Sequence, residues 1–92
     1  MVEAFNISIQ HDTKIHVDSQ DIREWLKQSL KDKDIEVIGY SSKESCIFSY
    51  GTIVNGYMEI QASFSVSAEF IKDNLVQEDG ALKVVNIAKK SL

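Results

Sequence analysis

The chain has 92 residues, a length suited to one compact domain and too short for two separate cores. Hydrophobic residues make up 43% and charged residues 26%, which sets it apart from disordered chains, and a net charge of −4 supplies no positive field for phosphate backbones or anionic lipid. Cys46 is the single cysteine, so no intramolecular disulfide can form, and no apolar run approaches the roughly 20 residues of a membrane span.

The reading is therefore a single domain over residues 1–92 of a cytoplasmic type. The start, Met1 to Asn6, contains Glu3 and lacks the basic and apolar regions of a secretory signal. In a reducing compartment the sequon Asn6-Ile7-Ser8 has no consequence. Prolines, low-complexity tracts and internal repeats are absent from the sequence.

Phe5, Ile7 and Ile9 alternate with Asn6, Ser8 and Gln10, which predicts a half-buried strand. His11 to Lys14 interrupts it, and Ile15 and Val17 resume the alternation as a bend or a short second strand. At Asp18-Ser19 the period changes. Ile22, Trp25, Leu26 and Leu30 form one apolar stripe, with acids early and lysines late, so an amphipathic helix is expected over Ser19 to Asp32.

Ile35 to Tyr40 reads as a strand, Ser41 to Glu44 as a polar turn and Ser45 to Val54 as a further strand. Asn55-Gly56 suits a two-residue type I′ turn, followed by a return strand through Met58, Ile60, Ala62, Phe64 and Val66. Ser67 can cap a short helix to about Val76, Asp79-Gly80 reads as a turn, and Leu82 to Ala88 is assigned to a strand over a competing helix. The expected class is α+β: one small, mostly antiparallel sheet in the order β-α-β-β-β-α-β, with the amphipathic helix packed on one face.

A turn at Asn55-Gly56 pairs Val54 with Tyr57 and Ile53 with Met58, so that Gly51, Ile60, Ala62, Ile47 and Phe64 share a core face. Cys46, Phe48, Tyr50 and Val54 then lie on the other face, opposed by Tyr57, Gln61, Ser63 and Ser65. Alternatively Gly51 forms a bulge that moves Phe48 and Cys46 into the core. The first arrangement makes Phe48, Tyr50, Tyr57 and Gln61 the candidate partner-binding residues, because aromatic rings among small polar groups have the chemistry of protein interfaces.

Catalytic and metal chemistry have thin support. His11, Asp12, His16 and Asp18 concentrate ligand types, but His11 and His16 of a continuous strand face opposite sides, so solvated loop histidines are expected. Cys46 has no neighbouring base, Ser63, Ser65 and Ser67 have none either, and no Gly-rich phosphate loop is present. No catalytic residue, cofactor or metal site is assigned.

The expected function is a non-enzymatic, acidic binding or regulatory module, of adaptor or inhibitor type like small phage-type proteins that block a host factor. It would act by protein–protein association, including self-association into a homodimer through a sheet face. Two rivals are a small metal-dependent hydrolase around His11, Asp12 and His16, and single-stranded nucleic-acid binding by the aromatic face. The second is disfavoured because residues 45–67 contain no Arg or Lys to follow phosphates.

Overall fold

A computed structural model describes residues 1–75 and 82–90. Strand β1 (Val2–His11) is followed by helix α1 (Ser19–Leu30), a 3-10 turn (Lys31–Lys33) and strand β2 (Glu36–Phe48). Strand β3 (Gly51–Gln61), helix α2 (Ala68–Asn74) and strand β4 (Lys83–Lys90) complete the order. The four strands form one antiparallel sheet in the order β2-β3-β1-β4. With β3 inserted between β1 and β2, this is the split β-α-β arrangement.

The α+β class, the mostly antiparallel sheet and the helix packed on one face are as expected. The order contains one strand fewer. Ser41 to Glu44 does not turn; it lies inside β2, which absorbs surplus residues as irregularities between Val37 and Gly39 and between Ser42 and Glu44.

The hairpin register also differs. Its turn is at Ser49-Tyr50, and Asn55-Gly56 lies in the middle of β3, where Asn55 pairs with Ser8 and Gly56 with Ile7. The physical reason is parity. A turn at 55–56 would split the alternation, whereas a continuous strand keeps Val54, Met58 and Ile60 on one face, and all three are buried.

Neither expected hairpin register therefore holds. Gly51 pairs with Phe48, Ile53 with Cys46 and Val54 with Ser45, and Phe48 stays out of the core. Gly51 has φ 143°, and an added Cβ would lie 2.8 Å from the His11 carbonyl oxygen, so the end of the turn requires glycine. Gly56 is needed for another reason. Its missing side chain leaves room for the Tyr40 ring, whose nearest carbons would stand 2.8 Å from a Cβ there.

Phe5, Ile7 and Ile9 of β1 and Val54, Met58 and Ile60 of β3 form the sheet side of the core. Ile22, Leu26 and Leu30 of α1 close it from above, with Ile35, Val37, Ala62, Val66, Ile71, Leu75 and Val84 completing the cluster and Trp25 packed at its margin. Asp18 caps α1 through a reciprocal box with Asp21. Ser67 caps α2 by accepting from the Phe70 N–H at 3.1 Å. Residues 82–90 resolve in favour of a strand, with Val84 buried. The expected turn at Asp79-Gly80 lies outside the described residues.

Candidate functional site

At the far end of the β2–β3 hairpin, residues 41–50 are exposed throughout, because β2 is an edge strand and α1 meets this part of it through its first residue, Ser19, which donates to Ser42 Oγ at 2.9 Å. Phe48 and Tyr50 stack there, with ring centroids 5.2 Å apart and planes inclined by 6°. Tyr50 is 60% and Phe48 43% exposed, while Ile47, paired with Thr52 and so pointing to the opposite side of the hairpin, is 74% exposed. Large apolar side chains thus stand exposed on both sides of the tip, the two rings on one and Ile47 on the other, where burial against a partner would remove them from water.

The tip is braced from behind. Gln10 Nε2 donates to the Tyr50 carbonyl at 3.0 Å, and the Thr13 and Thr52 hydroxyls are 2.9 Å apart. The β1–α1 loop is therefore held against the hairpin, and Ile15 of that loop, whose N–H donates to the Asp12 carbonyl, is 45% exposed. An apolar surface held in place before contact loses less entropy on binding.

The four candidate binding residues do not converge. Phe48 and Tyr50 meet at the tip. Strand pairing puts Tyr57 opposite Asn6 and Ser41 in the middle of the helix-free face, and Gln61 pairs with Val2 and Glu36 at the other end of β3. Ten residues of strand, about 33 Å, separate Gly51 from Gln61.

Tyr57 has its own setting. Lys43 Nζ of β2 lies 5.8 Å and Lys90 Nζ of β4 4.8 Å from its ring centroid. Burial, and the charge of neighbouring Glu59, push its phenol above the ordinary tyrosine range. These two lysines escaped the sequence reading because they come from opposite edges of the sheet. Tyr40, on the helix-covered face over Gly56, is raised by burial as well, and its hydroxyl accepts from Ser42 Oγ at 3.2 Å.

His11 is a correction. It is buried at the end of β1, paired with Thr52, rather than solvated in a loop, and its Nδ1 is 2.8 Å from the Asp12 carbonyl oxygen. The Asp12 carboxylate accepts from the Lys14 N–H at 2.9 Å, and His16 is exposed. Among the described residues, no three His, Cys, Asp or Glu side chains converge as a metal site would require. Cys46 is an exposed free thiol on β2.

Glu3, which the sequence reading passed over, is 9% exposed and ties three segments together. Its carboxylate pairs with Lys89 of β4 and accepts from the Val66 N–H at 2.9 Å. The Lys89 contact, with the Val66 hydrogen bond, holds the carboxyl below the ordinary glutamate range. Its signal was present: Glu3 continues the odd-numbered apolar series Phe5, Ile7, Ile9.

A groove of about 760 Å³ lies at the opposite end of the molecule, between the C-terminal half of α1 and the ends of β2 and β3. Lys27, Lys31, Glu24 and Glu36 line it with both signs of charge. Among the described residues, no helix is long and apolar enough to cross a membrane.

No protein-family model and no curated protein matches the chain. Among solved structures, the full extracellular region of zebrafish Gpr126/Adgrg6 matches with a TM-score of 0.72 at 14% identity. The match covers 96% of this chain and 13% of that one. The likeness is one of fold. This chain spans about an eighth of the length of that region, and sites do not transfer with a fold at this identity.

Proposed function

We propose that this chain is a non-enzymatic binding module of the adaptor or inhibitor type, and that it contacts another protein through the tip of its β2–β3 hairpin. The observation that carries the reading is the Phe48–Tyr50 stack, exposed on a hairpin braced by Gln10 and Thr13. Paired rings on a rigid support have the character of interface hot spots, where few residues supply most of the binding energy. A free, exposed Cys46 favours a reducing, cytoplasmic setting.

The test is comparative capture from cells of the source organism. Wild-type chain and the Phe48→Asp and Tyr50→Asp variants serve as bait, with quantitative mass spectrometry of the bound proteins. A partner whose recovery falls at least tenfold with both variants supports the reading. Recovery unaffected by either variant contradicts it.

A second reading, single-stranded nucleic acid on the helix-free sheet face, gains from Lys43 and Lys90 beside Tyr57. Glu44 and Glu59, paired on that face with Asn55 and Ala4, oppose it, as does the net charge of −4. Titration with short oligonucleotides at low salt separates the two: binding weakened by Tyr57→Ala and by salt would favour this second site.

A further inference from the structure

Resting on the association reading above, we infer that the partner presents an extended segment, which adds as a further strand along the outer edge of β2 over residues 44–48. Backbone chemistry carries the inference. Phe48 and Gly51 flank a two-residue turn and form a hydrogen-bonded pair, and the register runs without irregularity from there to Glu44 and Asn55. Hydrogen-bonded and non-hydrogen-bonded pairs alternate along such a ladder, so the N–H and C=O groups of Ser45 and Ile47 point away from β3. Among the described residues no strand lies beyond β2, and these groups form the row that an added strand completes.

The other edge positions are less open. The outer edge of β2 is interrupted between Val37 and Gly39 and between Ser42 and Glu44, and β4 carries Lys83, Lys89 and Lys90, charges that discourage strand addition. Residues 44–48 have neither an irregularity nor a lysine, over a length of about 17 Å.

An added strand lies beside both faces of β2 at once. The apolar groups on the two sides of the tip fit such a neighbour, Phe48 with Tyr50 on the helix-free side and Ile47 on the other. Because residues 47 and 48 are consecutive, the segment that covers them carries two consecutive apolar residues, one for each face. A second copy of the chain is the poorer occupant. Antiparallel self-pairing that bonds both Ser45 and Ile47 opposes Ile47 to Ser45 and Phe48 to Glu44, and a register opposing Ile47 to Ile47 sets Ser45 against the turn residue Ser49.

Peptides of about ten residues, selected from a random phage-displayed library against the full chain, are the probe. They should share a consecutive apolar pair. Their binding should slow amide exchange at Ser45 and Ile47 at least tenfold, while Cys46 and Phe48, already bonded to β3, change little. Ser45→Pro removes one outward N–H at a position where an edge strand tolerates proline, and should weaken binding at least tenfold where Ser45→Ala does not. If Ser45→Pro unfolds, the full chain assembled by ligation at Cys46 with an N-methyl group on the Ile47 nitrogen replaces it, with the same expected loss. Failure to select any peptide overturns the inference, as does a peptide that binds without protecting Ser45 and Ile47 or that tolerates the backbone changes. A protein partner lost with Phe48→Asp and Tyr50→Asp but indifferent to the backbone changes also overturns it, while leaving the association reading intact.

Discussion

Replacing Gly56 with alanine puts a methyl group where the Tyr40 ring already lies. The new Cβ would stand 2.8 Å from two ring carbons and 2.5 Å from the hydroxyl oxygen, well inside van der Waals contact. Overpacking of this kind costs about 1–3 kcal/mol, and the upper half of that range applies here because three atoms collide. Relief requires Tyr40 to swing out, giving up its half-buried ring contacts and the hydroxyl chain from Ser19 through Ser42.

Gly56→Ala should therefore destabilise by about 2–3 kcal/mol, lowering Tm by roughly 10–20 °C in a domain of this size. The decisive measurement is the double-mutant cycle with Tyr40→Ala, followed by urea unfolding with Trp25 fluorescence. Removing the ring removes the clash, so the double variant should be more stable than the sum of the single costs by at least about 1.5 kcal/mol. Additive costs, with Tyr40→Ala giving no relief, would refute the reasoning. They would mean that Gly56 is required for a positive φ in a tight turn, not for space beneath a ring.

Three further outcomes follow from the same geometry. Gly51→Ala combines a forbidden φ of 143° with a 2.8 Å approach to the His11 carbonyl, so it should cost at least about 1–2 kcal/mol in urea unfolding, with no rescue from trimming Gln10. Glu3→Gln should lower the urea midpoint at neutral pH. Because the folded-state pKa of Glu3 lies below its unfolded value, the wild-type advantage is full above about pH 4.5 and closes as pH falls through the lower folded value, which a pH series of unfolding curves reads directly. Ser67→Ala removes the cap of α2 and should cost about 1 kcal/mol, seen as faster amide exchange at Phe70 and Ile71.

The elements with a single strong period were legible in the sequence. Ile22, Leu26 and Leu30 specified the buried stripe of α1, Asp18 and Ser67 the two caps, and Phe5, Ile7 and Ile9 the central strand. The hairpin was misplaced because two glycine-containing segments competed for its turn. Asn55-Gly56 has the stronger local turn chemistry, yet the uninterrupted parity of Val54, Met58 and Ile60 rewards a continuous strand, and burial outweighs local preference. Ser41 to Glu44 misled similarly, since an edge strand needs no apolar alternation where neither face is covered.

Of the candidate site, Phe48 and Tyr50 can be singled out from sequence as exposed rings, but their contact depends on the turn at Ser49-Tyr50, which local turn chemistry assigns to Asn55-Gly56 instead. Tyr57 was placed on a sheet face, whereas its two lysines and the Glu3–Lys89 tie connect residues 14 to 86 positions apart. Contacts of that range depend on strand order, which no local pattern encodes.

The central claim is that the hairpin tip, and not the middle of the helix-free face around Tyr57, is the contact surface. Photo-crosslinking from a benzophenone side chain placed at position 50 in one sample and at position 57 in another tests it most directly. The account predicts a protein adduct from position 50, whether with a second copy or another protein, and none above background from position 57. Adducts from position 57 alone would contradict it.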